Sequence, residues 1–412
     1  MSKIPYIPRY LAPTILQITR TFPVLLLTGA RQVGKTTLLE HISAESAGLA
    51  RRLVSLDEFE IRTLAKRDPA LFLQQYPAPL TIDEIQYAPE LLPYIKTAVD
   101  RDRTPGQYWL TGSQQFQMMR NVAESLAGRV GIVHLVGLST AEAGKVPYRE
   151  HPWIPGQKAT GTHKPLELLA LFEHIIRGSF PRLFHSTPPS LDTFYGSYVQ
   201  TYIDRDLRDL VRVSSLASFE KFVRICAART ASVLNLSDLA RDSDIAVSTA
   251  KEWLNLLQAV GQVFLLQPYH TNRIKRLIKS PKLYFLDTGL ACYLTGWRNP
   301  DVTSRGAFAG PLFETFVVLE ILKSYWHRGQ EPMAFYYRTK EKYEVDLVIE
   351  REGKLLPIEI KLGSRVSAYD LRGIEHLARA GFPLGSGAVI APVRESYPLR
   401  EGIMVVPPTV IG

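Results

Sequence analysis

The stretch "FPVLLLTGARQVGKTTLLEHI", residues 22–42, constrains the fold of this chain more than any other. An apolar strand, Val24 to Thr28, runs into Gly29-x4-Gly34-Lys35-Thr36, and a helical pattern follows at once. That order is a phosphate-binding loop in the strand–loop–helix setting it requires. Gly29 and Gly34 let the backbone wrap an anion where a Cβ would clash. The N–H groups of Gly29, Ala30, Arg31, Gln32, Val33, Gly34, Lys35, Thr36 and Thr37 then face the phosphates, helped by the helix N-terminus. Lys35 is expected to neutralise the β- and γ-phosphates, and Thr36 to ligate Mg²⁺. A loop of this kind implies a parallel α/β sheet around it.

Such a site needs acids on a second strand, and "PLTIDEIQ" supplies them. Asp83, after a short apolar run, is the expected Mg²⁺ partner, and Glu84 is the expected base for the attacking water. A third strand, "QYWLTGSQQF", carries Ser113 and Gln114 at its carboxyl end, the edge where α/β sheets bind ligands. Ser113 there is placed to sense the γ-phosphate or to form an ordinary turn. "AESLAGRV" places Arg129 at a helix end. Two readings stand for it: a finger acting on a neighbouring copy's nucleotide in a homo-oligomer, or a structural salt bridge.

"LLLTGARQVGKTTLL", "TIDEIQ", "WLTGSQQF" and "ESLAGRV", in this order and spacing, resemble a prokaryotic AAA+ family ATPase. Further on, "IIRGSFPRL", "YVQTYIDRDLRDL" and "SPKLYFLDTGLACYLTG" resemble its C-terminal partner, a domain of unknown function. The resemblance covers nearly the whole chain. It implies ATP rather than GTP as the nucleotide, with Mg²⁺, and implies no further substrate.

Composition bounds the rest. The 412 residues are enough for several domains, and 46% apolar content can build a core in each. No window reads as a membrane span, the start lacks a secretory apolar region, and two cysteines make neither a disulfide framework nor a zinc cluster. A soluble cytoplasmic protein is expected. The net charge of +9 suits a polyanion such as nucleic acid. Four segments appear: an α/β core at residues 1–140, a helical lid or connector at 141–215, a winged-helix-like module at 216–290, and an α/β domain at 300–412.

In the third segment Leu236, Leu239 and Ala240 form one apolar face. Ile245 marks a tight turn, and Ala250, Trp253, Leu254 and Leu257 are spaced for a second helix packing on the first. The pattern resembles a winged helix–turn–helix. Its second helix would present Ser248, Thr249 and Lys251 to base edges. Its wing would carry Arg273, Lys275, Arg276, Lys279 and Lys282 toward phosphates of duplex or branched DNA. A lid or packing role is the other reading.

The last segment holds "EVDLVIEREGKLLPIEIKLG", an apolar hairpin with acids in its middle. If Glu352-Gly353 form a two-residue turn, Asp346 lies opposite Glu359, with Cβ atoms about 5 Å apart. Lys361 shares that face, and Glu344 lies opposite Lys361. Asp…Glu-x-Lys on paired strands resembles the PD-(D/E)xK nuclease superfamily, whose restriction-endonuclease-like fold is therefore expected here. The resemblance implies Mg²⁺ at Asp346 and Glu359, Lys361 as the catalytic cation, and a further acid from a preceding amphipathic helix, here Glu314. Arg338 is a candidate phosphate contact. Two outcomes stay open: a metal nuclease, or an inert scaffold held by an ion network.

Overall fold

The computed structural model describes residues 6–411, except 46–47, 49, 113–121, 123–124, 158–166, 204–215, 271–279 and 364. The N-terminal sheet holds β1 (Val24–Thr28), β2 (Arg52–Ser55), β3 (Leu80–Asp83), β4 (Tyr108–Gly112) and β5 (Val130–His134), in the order β2-β3-β4-β1-β5. Its pairings are parallel throughout. Parallel strands are covered on both faces, so β1 reads as an unbroken apolar run. Leu25 and Leu27 pack toward the Lys35–Glu45 helix, and Val24 and Leu26 toward the helices Phe59–Arg67, Pro69–Gln75 and Leu91–Arg101. β4 lies between β1 and β3, which leaves the ends of all three strands at one edge of the sheet.

The middle unit contains the helices Leu216–Ala228, Leu236–Asp242 and Val247–Ala259 and a small antiparallel sheet. That sheet is β6 (Ser232–Val233), β7 (Val263–Leu266) and β8 (Lys282–Phe285), in the order β6-β8-β7. The Asn235 side chain accepts from Ser237 N and Asp238 N and so starts the second helix. Leu239, Ala240, Ala250, Trp253, Leu254 and Leu257 of the expected apolar faces are buried and Leu236 is half-buried, with Trp253 edge-on to Phe219 and Phe222.

The C-terminal unit is a mixed six-stranded sheet, β13-β14-β12-β11-β10-β9. Its strands are β9 (Ala334–Arg338), β10 (Glu344–Arg351), β11 (Lys354–Ile360), β12 (Gly387–Ile390), β13 (Tyr397–Arg400) and β14 (Ile403–Val406). The Arg372–Arg379 helix covers one face through Ile374 and Leu377. The Ala309–Trp326 helix covers the other. That helix is not amphipathic, contrary to what its sequence suggests. It is buried on nearly every side, because it runs between the sheet, the middle unit and residues 138–142. No helix among the described residues is long and apolar enough to cross a membrane.

Candidate functional site

β1 delivers Gly29 with φ +150°, and a Cβ there would sit 2.2 Å from the Leu135 carbonyl oxygen. No other residue fits that approach. Gly29→Ala is therefore expected to cost at least about 2 kcal/mol of stability, read by urea unfolding. Stability within a few tenths of a kcal/mol of wild type would contradict this. Gln32 and Gly34 also have positive φ, which curls the loop before the Lys35–Glu45 helix begins. Lys35 is buried, and its Nζ donates to the carbonyl oxygens of Gly29 and Ala30, each at 3.0 Å. Burial lowers its pKa, while the charges of Glu84 and Asp83 pull the other way. Arg31 turns outward to the Tyr87 hydroxyl at 3.0 Å. Thr37 is exposed on the first helical turn.

The acids meet the loop as their spacing predicts. Thr36 Oγ1 donates to Asp83 Oδ1 at 2.8 Å. Glu84 follows in the left-handed region, φ 59° and ψ 47°, and its carboxylate accepts from Gln86 Nε2. Sequence reasoning missed Thr111 at the end of β4. Its hydroxyl donates to Asp83 Oδ1 and accepts from Glu84 N at 3.1 Å. One small side chain therefore sets both acids, and the only signal for it was a polar residue closing an apolar strand.

The residues fit a magnesium nucleoside triphosphate. A glycine-lined cradle with helical N–H groups suits the phosphates, and a hydroxyl already touching a carboxylate suits a hard, oxygen-liganded cation. Ser113 and Gln114 lie outside the described residues. Arg129 lies at the opposite end of the sheet from the loop, since its neighbour Val130 pairs with Val24 at the start of β1. Its guanidinium forks onto Asp100 at 2.5 and 3.0 Å. That is the salt-bridge reading; the side chain does not face this chain's own nucleotide site.

The loop is also packed from outside its own sheet. A Cβ built on Gly34 would come within 3.8 Å of Pro181, and one on Gly261 of the middle unit within 3.6 Å of Ala30, so both neighbours sit close to the loop. A second contact was not foreseen. Arg9 donates to Val33 O at 2.9 Å, to Val136 O at 2.7 Å and to Glu142 Oε1 at 3.2 Å. Glu142 Oε2 lies 3.1 Å from His327 Nδ1, just past the Ala309–Trp326 helix.

The C-terminal hairpin has the expected register. Glu352 and Gly353 both have positive φ, and the ladder runs from Arg351↔Lys354 to Leu347↔Ile358. The paired ladder ends there. The register with β9 shifts between Val345 and Val348, and Asp346 Oδ2 accepts from Ile360 N at 2.9 Å. The shift lies on the β9 side, and Asp346 and Glu359 both reach toward Lys361, as a shared face predicts. Lys361 Nζ is 3.0 Å from Glu359 and 3.9 Å from Asp346. Glu344 does not pair with Lys361. It lies 3.5 Å from Arg338 across the strands and 2.5 Å from Lys282.

Lys282 is the largest correction. The sequence offers it as an exposed wing cation, yet its side chain is 3% exposed. Its Nζ lies 3.0 Å from Glu314, 2.5 Å from Glu344 and 3.7 Å from Asp346. Burial alone would lower its pKa, but Glu314, Asp346 and Glu344 together hold it above the ordinary lysine value. Burial and then the Asp346 charge push Glu314 up to about 7, and burial pushes Glu359 up as well. Among the described residues no group of three or more His, Cys, Asp or Glu side chains is arranged to hold a metal ion. The metal expected at Glu314, Asp346 and Glu359 does not fit this arrangement.

Comparisons with known proteins match three stretches of the chain. Residues 21–144 match an AAA domain. Residues 168–301 and 309–411 match two domains of unknown function, DUF8612 and DUF4143. Uncharacterized proteins of Mycobacterium bovis and Mycobacterium tuberculosis are each 29% identical over 388 residues, 93% of this chain and 80% of theirs. A Walker-type ATPase of Pyrococcus abyssi overlaps 69% of this chain and 94% of its own, at 15% identity and TM-score 0.38. AMPPCP-bound DnaA from Aquifex aeolicus overlaps 60% and 85%, at 11% identity and TM-score 0.27. Those two likenesses are too low to bear on fold or function. The site geometry and the domain match together make residues 21–144 a P-loop ATPase domain of the AAA type.

Proposed function

We propose that the chain is a Mg·ATP-hydrolysing switch that binds DNA through its middle unit, with the C-terminal unit serving as scaffold rather than nuclease. The observation that carries the hydrolysis is the Thr36–Asp83 contact with Glu84 beside it. Thr36 and Asp83 would hold Mg²⁺, which supplies Lewis-acid stabilisation of the phosphate oxygens. Lys35, released from the Gly29 and Ala30 carbonyls, offers its ammonium to the same oxygens. Glu84 accepts a proton from the attacking water; Gln86 holds its carboxylate, and Thr111 holds its backbone N–H.

The DNA half of the proposal draws on the middle unit. Its order of helices and strands supports a winged-helix reading, and Ser248 and Lys251 are exposed near the start of the Val247–Ala259 helix. Arg273, Lys275, Arg276 and Lys279 lie outside the described residues, and Lys282 is withdrawn from the wing. The close approach of Gly261 to Ala30 sets the nucleotide loop beside this unit. With Arg129 committed to Asp100, the proposal calls on no finger from a second copy.

The test is ATP turnover with and without duplex or branched DNA across a salt series. Turnover should rise severalfold with DNA, and the rise should fall steeply with salt. A flat response to every DNA would sink the DNA half and leave a regulatory ATPase acting through protein contacts.

A further inference from the structure

The C-terminal hairpin carries the acids of a metal site, yet a lysine from another unit stands among them. Lys282 reaches across from β8 to Glu314 on the Ala309–Trp326 helix and to Glu344 and Asp346 on β10. Two residues along the same strand, the Tyr284 hydroxyl donates to Glu314 Oε1 at 2.7 Å. The contact is thus built by two side chains on one face of β8, both buried. Tyr336 of β9 closes one side, with its ring centroid 5.6 Å from Lys282 Nζ and its hydroxyl on Ser280 O.

We propose that Lys282 is the resident cation of the C-terminal acidic site, standing where a divalent metal would bind and fastening the middle unit to the C-terminal unit. An ammonium has three donors, and three carboxylates on two elements face it. A buried charge requires such partners, and they are strong when both sides are ionised. A divalent ion would need these same oxygens at about 2.0–2.6 Å, too close to share them with the ammonium. Lys361 Nζ holds the other half of the cluster, 3.0 Å from Glu359. The carboxylates are then committed to internal cations, which deepens the scaffold reading and rests on it. DNA binding is a separate matter, and its failure would leave the test below unchanged.

The test is Mn²⁺ binding to the full chain without nucleotide, followed by electron paramagnetic resonance. Wild type should show no Mn²⁺ that Asp346→Asn removes. Lys282→Met should gain one site, bound at least tenfold more tightly than any in wild type, and Asp346→Asn in the same chain should abolish it. A wild-type site lost in Asp346→Asn would overturn the proposal. So would a folded Lys282→Met chain that gains no site. Where Lys282→Met does not fold, the wild-type titration with its Asp346→Asn control decides. Melting of wild type with added Mn²⁺ gives a second reading. An unchanged Tm supports the proposal, and a rise that Asp346→Asn removes overturns it.

Discussion

Glu84→Gln is expected to lower ATP turnover by about 10²–10⁴-fold while ATP binding stays near the wild-type level. The amide keeps the size and polarity of the side chain but cannot take a proton from water. Nothing else in the cradle changes: Lys35, Thr36 and Asp83 keep their contacts, and Glu84 N stays on the Thr111 hydroxyl. The loss therefore falls on kcat. Phosphate release beside ATP titration calorimetry separates the two quantities. Unchanged turnover would remove Glu84 from the chemistry, and an equal loss of binding would make it a structural residue.

Glu142→Ala is expected to destabilise the fold by about 3–5 kcal/mol. Glu142 is 1% exposed and receives Arg9 Nε, Tyr10 N and Ser139 N. Its removal leaves the Arg9 guanidinium buried without its carboxylate, just where Arg9 also steadies the Val33 carbonyl of the nucleotide loop. Thermal and urea unfolding read the effect, and a loss under about 1 kcal/mol would contradict it. The same cluster sets a pH dependence. Burial drops the His327 pKa from 6.5 to about 4, against an upward pull from the Glu142 carboxylate and with a smaller downward one from Arg9. The unfolded chain then binds the extra proton first, so stability falls as pH drops from 6.5 toward 4. Burial would raise the Glu142 pKa, but Arg9 and His327 outweigh it and lower the value. Its contribution is present above the unfolded carboxylate pKa and fades as pH falls through the folded one. Both groups therefore weaken the fold in acid, and neither does so in mild alkali.

The nucleotide site was legible because its signals are local. Gly29 to Thr36 fall in one run, and Asp83-Glu84 close a strand that must lie near β1 in a parallel sheet. The hairpin register was legible too, since Glu352-Gly353 can form only a short turn between matched strands. What escaped depends on contacts distant in sequence. Arg9 meets Glu142 across 133 positions. Lys282 meets Asp346 only because the segment after β7 bridges β9 at Pro268 and Tyr336, which brings β8 up to the C-terminal sheet. A lysine in a basic run reads as solvated unless the fold brings acids to it. The register shift between Val345 and Val348 was hidden for the same reason, because alternation along one strand carries no record of its neighbour's register.

Lys35, Thr36, Asp83 and Glu84 are proposed to hold and hydrolyse Mg·ATP, and everything else in the proposed function depends on it. The most direct measurement is phosphate release by the full chain with ATP, with Mg²⁺ or with EDTA, beside Lys35→Ala. The account predicts release that requires Mg²⁺ and falls at least about 10²-fold in Lys35→Ala. Release that persists in Lys35→Ala, or a wild-type chain that neither binds nor hydrolyses ATP, would contradict it.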